Sequence, residues 1–308
     1  MVQNGGWRAQ ILNDFPSVHV PLEALLEAAP KLQPRQFSIS SSPLAHAGRI
    51  HLTVAVVDFR TPYKRRVRGL CSSWLASLHA GCAHAPCIPH LTPLVAHALR
   101  ARRRHPRLRI STQRVPLSPG GETQTSVESV MLCRDCVPVW IERGAFRLPP
   151  PDVPLICVGP GTGVAPLRGF LHHRSALKEA GESVAPSVLV FGCRYEARDY
   201  LYRGEWEELQ RQGVLAGQHG VLCAFSRDGE RKVYVQDRIR ESAAVLWPLL
   251  FESGACVFVA GSANSMPAAV AGAFEGVIAQ GMACGDSEAA RLRAQLERAR
   301  RYHVEAWS

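Results

Sequence analysis

Gly159, Gly161 and Gly163 follow a short apolar run, PLICV at 154–158, and precede a stretch of helical periodicity at 164–180. A strand, a glycine turn and a helix in that order offer backbone amides and the positive end of a helix to an anion, with no Cβ to obstruct a pyrophosphate. The same pattern also suits a tight strand-to-helix turn that needs glycine for geometry alone. Further polar residues gather after the neighbouring apolar runs. Ser226, Arg227, Lys232 and Tyr234 follow the run at 221–225, and Cys193 and Arg194 follow the one at 188–192. Open α/β sheets bind ligands at such strand ends. Hydroxyl, guanidinium and ammonium donors match the three acceptor oxygens of a phosphomonoester, and an aromatic ring can stack on adenine. The set points to a 2′-phosphate, hence NADP rather than NAD, although each of its residues taken singly suits a solvated basic turn better.

A second constellation consists of Cys82 and Cys87, then Cys133 and Cys136, with His84 and His90 nearby. Thiolates and imidazoles at such spacings can hold a tetrahedral zinc. The long interval between the pairs and the lack of strands around them favour chance placement, so no metal is assigned. The arginines at 100–109 lack interleaved aromatics and read as a solvated charge run, not as a nucleic-acid surface. The whole segment 82–136 carries eight arginines against three acidic residues, half of the net charge of +10. It is rich in Pro, His, Arg and Ser and reads as an atypical, disordered insert whose composition resembles translated non-coding sequence.

The elements that must position these groups fall into two textures. With 308 residues, 46% of them hydrophobic, the chain can bury one large or two ordinary cores. It has no apolar run long enough for a membrane span and a polar N-terminus, which suggests a soluble cytoplasmic protein. The ten cysteines are spread thinly, and most of them read as reduced thiols. Apolar runs at 154–158, 188–192, 221–225 and 255–260 alternate with helical patterns at 164–180, 203–212, 235–251, 267–280 and 287–301. That alternation predicts a parallel sheet covered on both faces. Upstream, 50–59 alternates in part and 35–42 reads as a strand entering a polar turn, so this part is β-rich. The Pro-dense 148–154 reads as a linker.

The ordered motifs RQFSISS (35–41), GLCSSWL (69–75), VGPGTGVAPLRGF (158–170), FGCR (191–194), AFSR (224–227), KVYVQ (232–236) and EAWS (305–308) resemble the diflavin reductase branch of the ferredoxin-NADP reductase superfamily, over 11–80 and 137–308. The resemblance implies an α/β fold, with a parallel-sheet NADPH-binding domain at 148–308 preceded by an incomplete antiparallel β-barrel FAD-binding domain at 1–81, whose last strand is 137–147. It implies an NADPH-dependent oxidoreductase with FAD and NADPH as cofactors, FMN belonging to a domain of the full-length members that is missing here. Electrons would pass to an anamorsin-type iron–sulfur acceptor in cytosolic iron–sulfur protein assembly, without nucleic acid or membrane partners. By the same resemblance, Arg35 contacts the FAD pyrophosphate, Phe37 stacks on the isoalloxazine, Ser38 lies near flavin N5, and Gly69, Leu70, Cys71 and Ser72 wrap the FAD phosphates. Gly161, Thr162 and Arg168 correspond to NADPH phosphate and ribose contacts, Cys193 and Arg194 to the nicotinamide side, and Ser226, Arg227, Lys232 and Tyr234 to the 2′-phosphate pocket. Trp307 corresponds to the aromatic cover of the flavin and Glu305 to a catalytic carboxylate. Ala260 and Ser262 stand where the cytochrome reductases have Cys and Asp, which leaves proton supply to Ser38, Glu305 or solvent. The alternative is a catalytically incompetent NADPH-binding or partner-binding fragment.

Overall fold

The computed structural model describes residues 14–28, 33–77, 107–108, 113–114, 124–127 and 139–307. Residues up to Gln36 form one unit and those from Phe37 onward a second. In the first, helix α1 (Leu22–Ala28) buries no side chain.

In the second unit the partial alternation at 50–59 yields two short strands, β2 (Leu52–Ala55) and β3 (Asp58–Arg60), just after β1 (Arg49–Ile50). β3 turns back antiparallel on β4 (Arg66–Arg68), where the Asp58 carboxylate takes the Arg66 guanidinium as a fork at 2.8 and 2.6 Å. Helix α2 (Leu70–Ser77) follows. Segment 82–136, expected to be disordered, supplies three strands: β5 (Arg107–Leu108) parallel to β1, β6 (Gln113–Arg114), and β7 (Gln124–Val127) antiparallel to both β2 and β6. The correction has a physical basis, because Thr125 and Val127 are β-branched and β2 would otherwise present unpaired backbone groups. The rest of that segment, including Cys82, Cys87, Cys133, Cys136, His84 and His90, lies outside the described residues.

The apolar runs further on become β8 (Leu155–Pro160), β9 (Val188–Cys193), β10 (Val221–Phe225) and β11 (Cys256–Ser262), joined by β12 (Tyr302–Trp307), which the apolar pattern does not reveal. They form one parallel sheet in the order β10-β9-β8-β11-β12. Around it lie α3 (Val164–Glu179), α4 (Glu196–Asp199), α5 (Arg203–Arg211), α6 (Val235–Glu241), α7 (Ala243–Phe251), α8 (Met266–Met282) and α9 (Asp286–Arg298). The stretch expected as one helix at 235–251 breaks at Ser242, whose φ of −101° and ψ of 20° leave the helical range.

Successive strand residues point to opposite faces, and both faces are packed. Ile156, Val158, Val190, Val257 and Val259 meet Ile239, Leu246, Val270 and Phe274 on one side. Cys157, Leu189, Phe191 and Phe258 meet Leu167, Leu171, Trp206 and Leu209 on the other. Each such side chain contributes about 1.5–3 kcal/mol by leaving water, which makes this sheet the energetic centre of the unit.

One connecting segment differs from expectation. Residues 139–147 contain no strand; Trp140 and Ile141 are exposed. Here an aromatic anchor replaces a ladder, since the Phe146 ring lies edge-on to Phe258 at 5.2 Å and tilted against Phe170 at 6.2 Å. The Pro-dense linker is fixed by a buried arginine on α3. Arg174 donates to the carbonyls of Pro150 (3.1 Å), Val153 (2.5 Å) and Ala185 (3.2 Å) and to Ser187 Oγ (3.4 Å).

Candidate active site

Because the sheet is parallel throughout, all five strands end on one rim, and the strand order reverses between β8 and β11. Ligands of open α/β sheets occupy the crevice at such a reversal. The glycine turn stands there. Gly161 has a φ of +55°, in the left-handed region that favours glycine. A Cβ on Gly163 would come within 2.1 Å of the Ala260 carbonyl oxygen, and one on Gly159 within 2.6 Å of Leu167 Cδ1. Turn geometry and packing therefore account for all three glycines. No side chain caps α3, which starts directly after the turn at this rim, so its positive end is available to an anion.

On one side of the reversal, the ends of β9 and β10 are zipped beyond the sheet ladder. The Ser226 amide donates to the Cys193 carbonyl and the Arg227 amide to the Arg194 carbonyl, both at 2.9 Å. That brings Cys193, Arg194, Ser226 and Arg227 together. The loop continues through exposed Lys232 to Tyr234, whose amide donates to Asp237 Oδ2 at 2.9 Å at the start of α6. Burial pushes the Cys193 thiol well above its usual range, so it meets a ligand as a neutral thiol.

On the other side, β11 and β12 run in register with Ala260 beside Glu305 and Ser262 beside Trp307. The Trp307 carbonyl accepts from the Ala263 amide at 2.8 Å, and the indole is 36% exposed at the rim. Partial burial holds the Glu305 carboxyl above the usual carboxylate range.

The flavin-side residues come from earlier elements. Arg35 belongs to the N-terminal unit, where its guanidinium donates to the Gln33 carbonyl at 2.6 Å. Phe37 and Ser38 are half-buried and lead into Ile39, which bridges Leu52. Gly69 is held by a hydrogen bond from its amide to the Val57 carbonyl (2.8 Å). A Cβ there would lie 2.6 Å from Ser72 Oγ and 2.9 Å from Val57 Cβ. The Ser72 hydroxyl accepts from the Val57 amide at 3.1 Å, so it ties α2 to this loop. Leu70 and Cys71 open α2. Gly69 to Ser72 thus form a tight turn into a helix start, a donor set that fits a pyrophosphate.

Comparison with known proteins agrees with this division. An FAD binding domain family matches residues 6–74 and an oxidoreductase NAD-binding domain family matches 157–271. The NADPH-dependent diflavin oxidoreductase 1 of Arabidopsis thaliana is 41% identical over 303 residues, covering 97% of this chain and 40% of the relative. That of Bos taurus is 37% identical over 302 residues, covering 97% and 41%. The chain therefore combines FAD-binding and NAD-binding oxidoreductase domains and is similar to the diflavin reductases. The NADPH–cytochrome P450 reductase of Drosophila melanogaster, 30% identical over 299 residues, covers 97% of the chain and 36% of itself. The chain thus spans about two fifths of the length of these diflavin reductase relatives.

One residue assigned by resemblance goes elsewhere in this chain. Arg168 does not present its guanidinium to the nucleotide crevice: the side chain is 3% exposed and turned toward α5 and the 40–51 region. Its Nε and Nη2 donate to the two Glu205 oxygens at 2.6 and 2.8 Å, and Nη1 donates to the Ser40 carbonyl at 2.9 Å and to His51 Nδ1 at 3.2 Å. The guanidinium also lies over the Tyr202 ring, 4.5 Å from its centroid. Around it the His46 ring sits edge-on between His51 (4.4 Å) and His172 (5.0 Å), and His172 Nε2 is 2.8 Å from Glu205 Oε2. Sequence reasoning passed over His46, His51, His172, Tyr202 and Glu205. The available signal was an arginine on the apolar face of α3, four positions after Val164 and three before Leu171.

Proposed function

We propose that this chain forms the NADPH-to-FAD entry half of a cytoplasmic diflavin reductase, and that electrons leave it through FMN toward an anamorsin-type iron–sulfur acceptor. The observation that carries the reading is the shared rim: the glycine turn, Cys193–Arg194, the 226–234 loop and Glu305–Trp307 all lie at the carboxyl ends of one parallel sheet. When bound, NADPH supplies a hydride from nicotinamide C4 and FAD receives it at flavin N5.

The residues present divide the work. Ser226, Arg227 and Lys232 hold the 2′-phosphate through charge-assisted donors, and Tyr234 stacks on the adenine. Gly161, Thr162 and the start of α3 hold the pyrophosphate. Cys193 and Arg194 border the nicotinamide side. Gly69, Leu70, Cys71 and Ser72 take the FAD phosphates, while Phe37 stacks on the isoalloxazine. Trp307 covers the ring until nicotinamide arrives and excludes water from it. Ser38 Oγ supplies a hydrogen bond near the reacting nitrogen. The half-buried Glu305 carboxyl keeps its proton to higher pH than an exposed one would, which suits it to proton exchange beside the rim.

The test is spectroscopic. After incubation with FAD and removal of the excess, the purified chain should retain flavin absorbance near stoichiometry, and anaerobic NADPH should bleach it. NADH should do so far more slowly. A chain that binds 2′,5′-ADP but retains no flavin would instead be a non-catalytic nucleotide-binding fragment.

A further inference from the structure

Hydride transfer requires donor and acceptor atoms roughly 3–3.5 Å apart, and about 1 Å of misplacement can cost on the order of 100-fold in rate. In this chain the two halves of the site come from distant parts of the sequence. The nucleotide turn opens α3, whereas Phe37 and Ser38 lie on the segment that continues through Ser42. Something must fix that segment against α3.

The contacts that do so converge on the stretch Arg168 to His173 of α3. Arg168 Nη1 donates to the Ser40 carbonyl at 2.9 Å, two residues beyond Ser38. At the next position, Gly169 lacks a Cβ that would stand 3.0 Å from the Ser41 carbonyl oxygen, so backbone and helix touch directly. His173 Nδ1 lies 3.2 Å from Ser42 Oγ. Ser40 is itself paired through its amide to the His51 carbonyl at 2.8 Å. The guanidinium is held in turn by the bidentate Glu205 carboxylate, a planar fork that lysine cannot reproduce. A parallel contact, Thr53 Oγ1 to Tyr202 OH at 2.8 Å, ties β2 to the residue just before α5, the helix that carries Glu205.

We propose that Arg168 is a positioning residue: bridging Glu205 and the Ser40 carbonyl, it seats the flavin-side segment 37–42 on the helix that starts at the nucleotide turn. Its effect on hydride transfer rests on the NADPH-to-FAD function proposed above, whereas the seating itself does not.

The experiment compares the full chain with Arg168→Lys, Glu205→Gln and Gly169→Ala. Removing a buried charge can unfold a protein, so Gly169→Ala supplies an uncharged lever that displaces the segment by a few tenths of an ångström. Three readouts are taken: hydrogen exchange of the 37–42 amides, affinity for 2′,5′-ADP, and the rate of flavin reduction by NADPH. Positioning predicts that Arg168→Lys speeds exchange at Ser40 at least 10-fold and slows flavin reduction about 10- to 100-fold, with 2′,5′-ADP affinity within about 2-fold of the parent. Glu205→Gln and Gly169→Ala should move the same two readouts in the same direction by less. A 10-fold or greater loss of 2′,5′-ADP affinity with unchanged exchange would overturn the proposal and return Arg168 to the nucleotide. If the parent chain reduces no flavin, the functional reading fails, and exchange together with 2′,5′-ADP binding still decides whether Arg168 seats the segment.

Discussion

Residues that share a motif need not share a task, as the glycine turn shows. Gly161 supplies a left-handed backbone, whereas Gly163 supplies a vacancy against the Ala260 carbonyl, and neither role requires a ligand. Gly163→Ala must force the turn away from β11, because its Cβ would sit 2.1 Å from a main-chain oxygen. Overpacking of that kind costs roughly 1–3 kcal/mol, and Gly161→Ala costs about 1–2 kcal/mol from its positive φ. Urea unfolding should therefore report a clear loss of stability for Gly163→Ala, accompanied by weaker 2′,5′-ADP binding. Unaltered stability with lost binding would mean that this glycine serves ligand approach after all. The residues proposed for the 2′-phosphate are close in sequence, because Ser226, Arg227, Lys232 and Tyr234 lie within one loop. The Arg168 cluster was not legible in the sequence, since its partners Glu205, His51 and Ser40 stand 37, 117 and 128 residues away, and no linear spacing encodes such a junction.

At the scale of elements, helix α3 is the component on which the others depend. It begins at the nucleotide turn, meets the 40–42 region through Arg168, Gly169 and His173, and meets the 150–153 linker through Arg174. Arg174 is fully buried, and burial lowers its pKa from the usual guanidinium range without removing its charge. Replacing it with Met would strip partners from the Pro150, Val153 and Ala185 carbonyls and cost about 3 kcal/mol. The melting temperature should fall by roughly 10 °C while 2′,5′-ADP affinity is retained; a drop of less than about 2 °C would show that the linker is held by other means. The parallel strands β8 to β11 were readable because cover on both faces leaves them continuously apolar. β12 was hidden, since Tyr302–Trp307 interleaves His303 and Glu305 and forms the sheet edge. The last FAD-domain strand expected by resemblance at 137–147 is not formed over the described residues 139–147, where Phe146 packs on Phe258 as an aromatic anchor instead of a ladder.

For the molecule as a whole, the junction between the flavin-side strands and the sheet should set its response to acid. Burial lowers the pKa of His51 to about 4 and holds His46 and His173 below the usual imidazole range. The groups facing His51 are Arg168, His46 and His172, which oppose its protonation, and Glu205, which favours it. Geometry agrees, because His51 Nδ1 accepts from Arg168 and can do so only when that nitrogen carries no proton. The unfolded chain takes up protons on these histidines near pH 6.5, whereas the folded chain resists until lower pH, so stability is greatest above about pH 6.5 and declines toward pH 4. His51 is 6% exposed, and its shift alone is worth on the order of 3 kcal/mol across that window. Glu305 works the other way, since a raised carboxyl pKa favours the folded state on acidification, but its partial exposure keeps that term smaller. Urea unfolding free energies measured from pH 7.5 to 4.5 should therefore fall steadily, and His51→Gln should flatten the slope while costing some stability at pH 7.5. A parent chain equally stable at pH 7 and pH 5 would rule out a junction kept closed by neutral histidines.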